Sequence, residues 1–319
     1  MSKKLFEELF FNHKDYLFID VRSPSEFKKG HIPGAYNIPL FSDQLRALVG
    51  AIYVQEGKEK AVHFALERVS PQFSSFAQEA QGLYQKSKKT LVVYCARGGM
   101  RSGALTWLFT LFNLPVIQLE RGYKAYRNWA MSQFSLTRQV NLLSGKTGAG
   151  KTECLLRWLK QGRQIIDLEG LADHKGSVFG GDKDTQATQQ QFENDLAWQW
   201  AQLDSKKEVW LESESRKIGA VIIPEPIWLQ MKHAPVYVLE CSQEERLDRI
   251  MREYGVLPLE FLLRALAEIK DHLGSERYFQ VKILMDNGEI KEAFIILLAY
   301  YDKKYDHSLQ KKGDFVCIG

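Results

Sequence analysis

The sequence predicts two consecutive α/β domains, each built on a parallel sheet, with a helical part at the end of the second. Three observations carry this. The chain has 319 residues, about twice the ~150 of a typical single domain. Short β-rich runs alternate with helical stretches, and the alternation restarts after a polar stretch from Ser132 to Arg138. Each half also sends one apolar run straight into a glycine-rich turn followed by a helix. The expected division is residues 1–134, with a helical insertion at about 42–88, and residues 135–319.

In the first half, strands are expected at Tyr16–Val21, Leu91–Tyr94 and Val116–Leu119, and helices at Pro24–Lys29, Gly103–Phe112 and Lys124–Ser132. Such alternation reads as βαβ units. Between Pro39 and Thr90, Gln44–Val54 and Lys58–Arg68 have helical periodicity, broken at Ser70 and Pro71. In the second half, Val140–Leu143, Gln164–Leu168, Glu208–Glu212 and Pro235–Leu239 read as strands. Thr152–Gln161, Gln186–Leu203, Gln243–Glu253 and Pro258–Leu273 read as helices.

The longest apolar run, Ala293–Tyr301, is far shorter than the roughly 18–20 residues that span a bilayer. No signal-like apolar core follows Met1–Lys4, so a cytoplasmic location without membrane contact is expected. Cys95, Cys154, Cys241 and Cys317 form no CxxC pair, which argues against a zinc site or a disulfide framework. A net charge of +4 is compatible with a nucleic-acid partner without requiring one.

The segment Leu91–Ser102 is a strand that enters a loop holding Cys95, Arg97, Gly98, Gly99, Arg101 and Ser102. Glycines let successive N–H groups turn inward, and a helix N-terminus and two guanidinium groups add positive potential. Such a loop wraps an anion and favours a thiolate. Cys95 is therefore the expected nucleophile, whereas Cys154, Cys241 and Cys317 lack these surroundings. The segment Phe18–Pro39 resembles the N-terminal signature of the rhodanese superfamily, and Leu119–Tyr126 resembles its closing motif. The resemblance covers residues 1 to about 130. It implies a persulfide or perselenide carried on Cys95, with Asp20 and Arg22 structural. The Cys95-to-Arg101 spacing, C-x5-R followed by Ser102, is one residue longer than the commonest rhodanese loop and also resembles dual-specificity phosphatases. Two readings stay open: phosphoester hydrolysis, or acceptance of a phosphate-bearing donor such as selenophosphate.

In the second half, Gly145, Lys146, Thr147, Gly148, Ala149, Gly150, Lys151 and Thr152 fit G-x-x-x-x-G-K-[ST], after an apolar strand and before a helix. The glycines permit an inward amide nest, Lys151 neutralises phosphate oxygens, and Thr152 is a candidate magnesium ligand. Asp167 and Glu212, each at a strand end, are candidates for the accompanying acid. The motif grips a diphosphate whether it belongs to ATP or to an isoprenoid.

Asp167–Gly180 and Glu212–Gly219, taken with the Cys95 loop, resemble the bacterial tRNA 2-selenouridine synthase family over nearly the whole chain. The resemblance implies tRNA with 2-thiouridine at the wobble position as substrate. S-Geranylation from geranyl diphosphate is followed by selenium transfer from selenophosphate by way of Cys95. No tightly bound cofactor is expected, and selenophosphate synthetase is a candidate partner. Asp167, Glu169, His174, Glu212, Glu214 and Arg216 are candidates for the second site. Arg121, Lys124, Arg127 and the basic residues from Arg246 to Arg252 are candidate tRNA contacts, and Trp198, Trp200 and Trp228 are core or stacking candidates. The alternatives are a C-x5-R phosphatase and a P-loop ATPase or kinase with a sensory rhodanese module. A phosphatase lacks an obvious aspartate acid near the loop and leaves the P-loop idle.

Overall fold

In a computed structural model, which describes residues 2–174, 186–310 and 315–318, the chain divides into two compact units. One comprises Met1–Gln133 with Glu193–Trp198, the other Phe134–Phe192 with Gln199–Gly319.

The first unit runs β1 (Lys3–Lys4), α1 (Phe6–Phe10), β2 (Tyr16–Asp20), α2 (Pro24–Lys29), β3 (Tyr36–Asn37), α3 (Asp43–Gln55), α4 (Lys58–Val69), α5 (Phe73–Ser87), β4 (Thr90–Tyr94), α6 (Met100–Leu111), β5 (Val116–Leu119) and α7 (Gly122–Gln133). Its five strands pair in the order β1-β5-β4-β2-β3, all in parallel. The central strand β4 reads Leu91-Val92-Val93-Tyr94 and buries every one of these side chains, as a parallel strand covered on both faces must. Helix α2 begins where Ser23 and Glu26 form a capping box with Pro24 at the first turn. Asp20 and Arg22, both buried, form a bidentate pair, and Arg22 also donates to the Gly30 carbonyl. Their buried, mutually satisfied geometry matches the structural role expected of them.

An aromatic cluster of Phe6, Phe10, Tyr126, Trp129 and Trp198 fills one side of this unit. Trp198, partly buried, packs against this cluster, and Trp200, in the second unit, is fully buried.

The second unit runs β6 (Gln139–Ser144), α8 (Lys151–Lys160), β7 (Gln164–Ile166), α9 (Leu168–Ala172), α10 (Gln189–Gln202), β8 (Glu208–Glu212), β9 (Lys217–Ile218), β10 (Val221–Ile222), α11 (Glu225–Lys232), β11 (Val236–Leu239), α12 (Gln243–Glu253), α13 (Leu259–Glu268), α14 (Lys270–Leu273), α15 (Ser275–Asp286), α16 (Ile290–Gln310) and β12 (Phe315–Ile318). Its main sheet has the order β12-β11-β6-β8-β7, again parallel throughout. Helices α12 to α16 share a separate apolar core around Leu266, Val281, Met285 and Leu297. The two parallel sheets and the helical C-terminal part are the expected fold class.

Several expected boundaries move. Helix α6 starts at Met100 rather than Gly103, which puts Arg101 and Ser102 in its first turn. The helix expected over Pro258–Leu273 is interrupted at Ile269 and becomes α13 and α14. Strand β12, not anticipated, pairs Phe315–Ile318 with Val236–Leu239. No helix among the described residues is long and apolar enough to cross a membrane.

Candidate functional site

Each glycine-rich loop leaves the carboxyl end of a central strand, where open parallel sheets place their ligands. The first follows β4. Cys95 is 4% exposed beneath a rim that is exposed at Arg97, Gly99 and Met100. Gly98 adopts φ +65°, and a Cβ there would come within 2.7 Å of the Leu119 carbonyl oxygen. Gly122 adopts φ +56°, and a Cβ on it would overlap the Cys95 carbonyl oxygen and the Gly98 nitrogen. Two backbones therefore touch where only hydrogen fits. The amides of Tyr123 and Lys124, at the start of α7, donate to the carbonyls of Cys95 and Ala96 at 2.9 and 3.0 Å. The closing motif thus acts as a clamp on the thiol loop.

Around the sulfur, burial pushes the Cys95 thiol up. The Ser102 hydroxyl, the N–H groups of Arg97 and Ser102 and the charge of Arg101 outweigh burial, and the thiol lies below its ordinary value. Ser102 Oγ lies 3.3 Å from Sγ and 3.1 Å from the Gly99 carbonyl. Its single proton can serve either acceptor, so the hydroxyl can turn to Sγ when the sulfur ionises. Gln118 Nε2 donates to the carbonyls of Gly98 and Gly99 and to Ser102 Oγ. A lone buried amide in the apolar strand β5 was the available signal for this residue, and sequence reasoning did not take it up.

The two arginines separate in role. Arg101 makes a bidentate pair with Glu26 at 2.6 and 3.2 Å, and Arg46 approaches the same carboxylate at 3.8 Å. Burial alone would raise the Glu26 carboxyl, but the hydrogen bond and charge of Arg101 hold it below its usual value. Arg97 is exposed on the rim.

The second loop follows β6. Gly148 and Gly150 adopt φ +78° and +87°, and Lys151 and Thr152 open α8. Thr152 Oγ1 donates to Glu212 Oε1 at 2.6 Å, from the start of α8 to the end of β8. Glu212 Oε2 is buried without a partner. Of the two candidate acids, Glu212 thus stands beside Thr152, while Asp167 caps α9 by accepting from the Gly170 amide at 2.7 Å. Burial, then the charges of Glu212 and Glu214, push the Glu169 carboxyl up to about 9, and it shares a hydrogen bond with Glu214. Burial, together with the charges of Asp167 and Glu214, raises Glu212 to about 7 against the opposing pull of Thr152 and Lys151. This acidic group faces Lys151. Arg216 pairs instead with Glu225 on an exposed face at 2.9 Å, and His174 is buried where the chain leaves α9, its amide donating to the Glu169 carbonyl. Residues 175–180 of the expected second-site segment lie outside the described residues.

Helix α12 grips this loop from outside. Arg246 donates to the Thr147 carbonyl and forms a two-pronged pair with Asp302, and Arg249 bridges the Gly148 carbonyl and Glu153. Arg246 is 4% exposed and both arginines bond to protein acceptors around this loop, so the structure shows them as loop supports rather than as the free tRNA contacts that were expected. Arg127 is likewise occupied, by Glu193 and Asn194, whereas Arg121 and Lys124 are exposed.

A thiol held in an amide loop on one parallel sheet, and a phosphate nest with a companion acid on another, define a rhodanese-like domain joined to a P-loop domain. Family models agree: residues 2–128 match the rhodanese-like domain and residues 138–260 match the tRNA 2-selenouridine synthase AAA domain. The tRNA 2-selenouridine synthase of Marinobacter nauticus is 33% identical, covering 98% of this chain and 93% of its own. That of Proteus mirabilis is 34% identical, covering 93% and 90%. A solved N-terminal domain from Clostridium difficile 630, of a protein described as ATP/GTP binding, is 37% identical over 41% of this chain and 99% of its own, with a TM-score of 0.39. The chain belongs to the tRNA 2-selenouridine synthase family and is an enzyme of that type.

Proposed function

We propose that this enzyme converts 2-thiouridine at the wobble position of tRNA to 2-selenouridine through an S-geranyl intermediate. The observation that carries the reading is the presence, in one chain, of an activated thiol in an anion loop and a phosphate nest with its own buried acid.

In the first step the nest Gly145–Thr152 holds the diphosphate of geranyl diphosphate. The thiouridine sulfur attacks the first carbon of the geranyl chain, a C–S bond forms, the C–O bond breaks, and diphosphate leaves against Lys151 and the loop amides. The N3 proton of the base is lost. It passes to solvent water. The pair Thr152–Glu212 suits a magnesium ion, since Glu212 Oε2 is buried and unpaired. Among the described residues no three His, Cys, Asp or Glu side chains gather as a metal site, so the diphosphate and water would complete the coordination, as is usual for this ion. When bound, magnesium supplies charge neutralisation of the leaving diphosphate.

The second step displaces the alkylated sulfur, which leaves far more readily than a thiocarbonyl sulfur. A perselenide formed from a thiolate and selenophosphate would require phosphorus to take up two electrons. The redox-neutral course has the Cys95 thiolate attack phosphorus: an S–P bond forms, the P–Se bond breaks, and hydrogen selenide is released beside the loop. Selenide then attacks C2 of the base, its proton passes to N3, the C–S bond breaks and geranyl thiolate departs. Water cleaves the S–P bond to restore Cys95 and phosphate. Arg97 and the loop amides hold the selenophosphate oxygens. The phosphatase reading shares the attack at phosphorus but leaves the loop Gly145–Thr152 without a task. A cytoplasmic site of action and supply by selenophosphate synthetase accompany this reading.

Incubating wild type, Cys95→Ser and Lys151→Ala with thiolated tRNA, geranyl diphosphate and selenophosphate, followed by mass spectrometry of the nucleosides, tests it. Cys95→Ser should accumulate the geranylated nucleoside and Lys151→Ala should leave 2-thiouridine unchanged. Selenation by Cys95→Ser at the wild-type rate would refute the assignment of Cys95.

A further inference from the structure

A cavity of about 550 Å³ opens beside the thiol loop, within the ~300–1,000 Å³ that small ligands fill. Its walls come mostly from α3 and α4 and are apolar, including Val49, Tyr53, Val62, Leu66 and Phe73, while Met100 and Arg101 form the end toward Cys95. Cys95 itself does not line the cavity, and the link to the sulfur runs through packed side chains. Leu40, Phe41, Ala65 and Val69 line the cavity and belong to the same packed apolar cluster as Cys95. Tyr53, Leu66 and Met100 remain about half exposed, at 51%, 48% and 55%, which is an unusual concentration of uncovered apolar surface around a concave site. At the loop end, Arg46 and Arg101 both face Glu26, so the polar groups gather at one end of an otherwise apolar chamber.

A chamber with one charged end next to a nucleophile, and apolar walls beyond, fits a ligand with a polar reacting head and a hydrocarbon tail. We infer that this cavity receives the isoprenyl chain of the S-alkylated nucleoside during the selenium-transfer step. This rests on the geranyl intermediate proposed above and extends it. Burying the chain in the α3–α4 chamber brings the C–S bond to the mouth of the Cys95 loop, and the departing thiol carries its tail out through the same opening. The cavity then also selects for substrate, because only an alkylated base gains from it, and unmodified 2-thiouridine has nothing to bury there.

The test compares two tRNA substrates, one carrying S-geranyl-2-thiouridine and one carrying S-methyl-2-thiouridine, with selenophosphate and the full-length enzyme. The variants are Val62→Trp, which fills the cavity, and Leu66→Asp, one turn along the same face of α4, which charges it. The expected result is a drop of roughly 50-fold in kcat/KM for the geranyl substrate, the factor forfeited when about three methylene groups stay in water. Turnover of the methyl substrate and the geranylation of 2-thiouridine should be unchanged. Equal losses on both substrates, or no loss on the geranyl one, would overturn the inference. If wild type fails to convert the geranyl substrate at all, the proposed reaction itself falls. A second measurement avoids variants altogether: wild type photolysed with S-geranyl-2-thiouridine bearing a diazirine at the chain end should be labelled between residues 40 and 73, and labelling confined to other regions would overturn the assignment.

Discussion

Replacing Ser102 with alanine removes a side-chain hydroxyl that lies 3.3 Å from the Cys95 sulfur. The change is small in volume, but it takes a hydrogen bond from the ionised sulfur in a nearly dry site and leaves Gln118 Nε2 with only the Gly98 and Gly99 carbonyls as acceptors. A hydrogen bond to a charged group contributes about 1.5–3 kcal/mol, and a loss of ~1.4 kcal/mol changes an ionisation equilibrium tenfold. The ionisation constant of the thiol should therefore fall about tenfold, while the N–H groups of Arg97 and Ser102 and the charge of Arg101 continue to favour the thiolate. The assay is the rate of iodoacetamide labelling of the Cys95 peptide against pH, read by mass spectrometry so that Cys154, Cys241 and Cys317 do not interfere. The inflection should move to higher pH in Ser102→Ala. An unmoved inflection would show that the hydroxyl serves only the Gly99 carbonyl and that the account of the loop is wrong.

Three further outcomes are expected. Gly122→Ala places a methyl group against the Cys95 carbonyl at φ +56°, and urea denaturation should show a loss of roughly 2–3 kcal/mol; an unchanged midpoint would contradict the tight approach of the two backbones. The Glu169 carboxyl, raised to about 9, binds its proton more tightly in the folded state, so its contribution is complete below the ordinary carboxyl value and disappears as pH climbs through 9. The ligand-free wild type should lose thermal stability between pH 6 and 9, Glu169→Gln should lose less, and parallel melting curves would speak against the acidic cluster. Arg249→Ala removes the bridge between the Gly148 carbonyl and Glu153, and calorimetric titration with inorganic pyrophosphate should show affinity weakened about tenfold, the cost of roughly one charged hydrogen bond; full affinity would mean that the loop keeps its shape unaided.

Sequence periodicity revealed the parallel sheets because their strands, such as Leu91–Tyr94, are buried on both faces and carry uninterrupted apolar runs. The loop residues were legible for a related reason, since Gly98, Gly148 and Gly150 occupy backbone conformations that other residues enter only with strain. What stayed hidden depends on partners distant in sequence. Nothing local tells Arg101 to turn to Glu26, 75 residues away, or Arg246 to pair with Asp302. Read alone, each arginine is a free cation, and that is why Arg246 and Arg249 looked like nucleic-acid contacts. Strand β12 escaped for want of length: four residues in register with Val236–Leu239 are too few to show a period. The cavity near Cys95 was illegible too, because α3 and α4 each read as an ordinary amphipathic helix and the space between them and Met100 exists only once the chain has folded.

Attack of the Cys95 thiolate at phosphorus, as proposed, leaves a phosphoryl group on the sulfur, and that species can be trapped. Wild-type enzyme quenched within its first turnover with selenophosphate and geranylated tRNA should yield a Cys95 peptide heavier by one phosphoryl group, absent when Cys95 is replaced by serine. A Cys95 peptide carrying selenium, or an unmodified one while 2-selenouridine accumulates, would rule out attack at phosphorus.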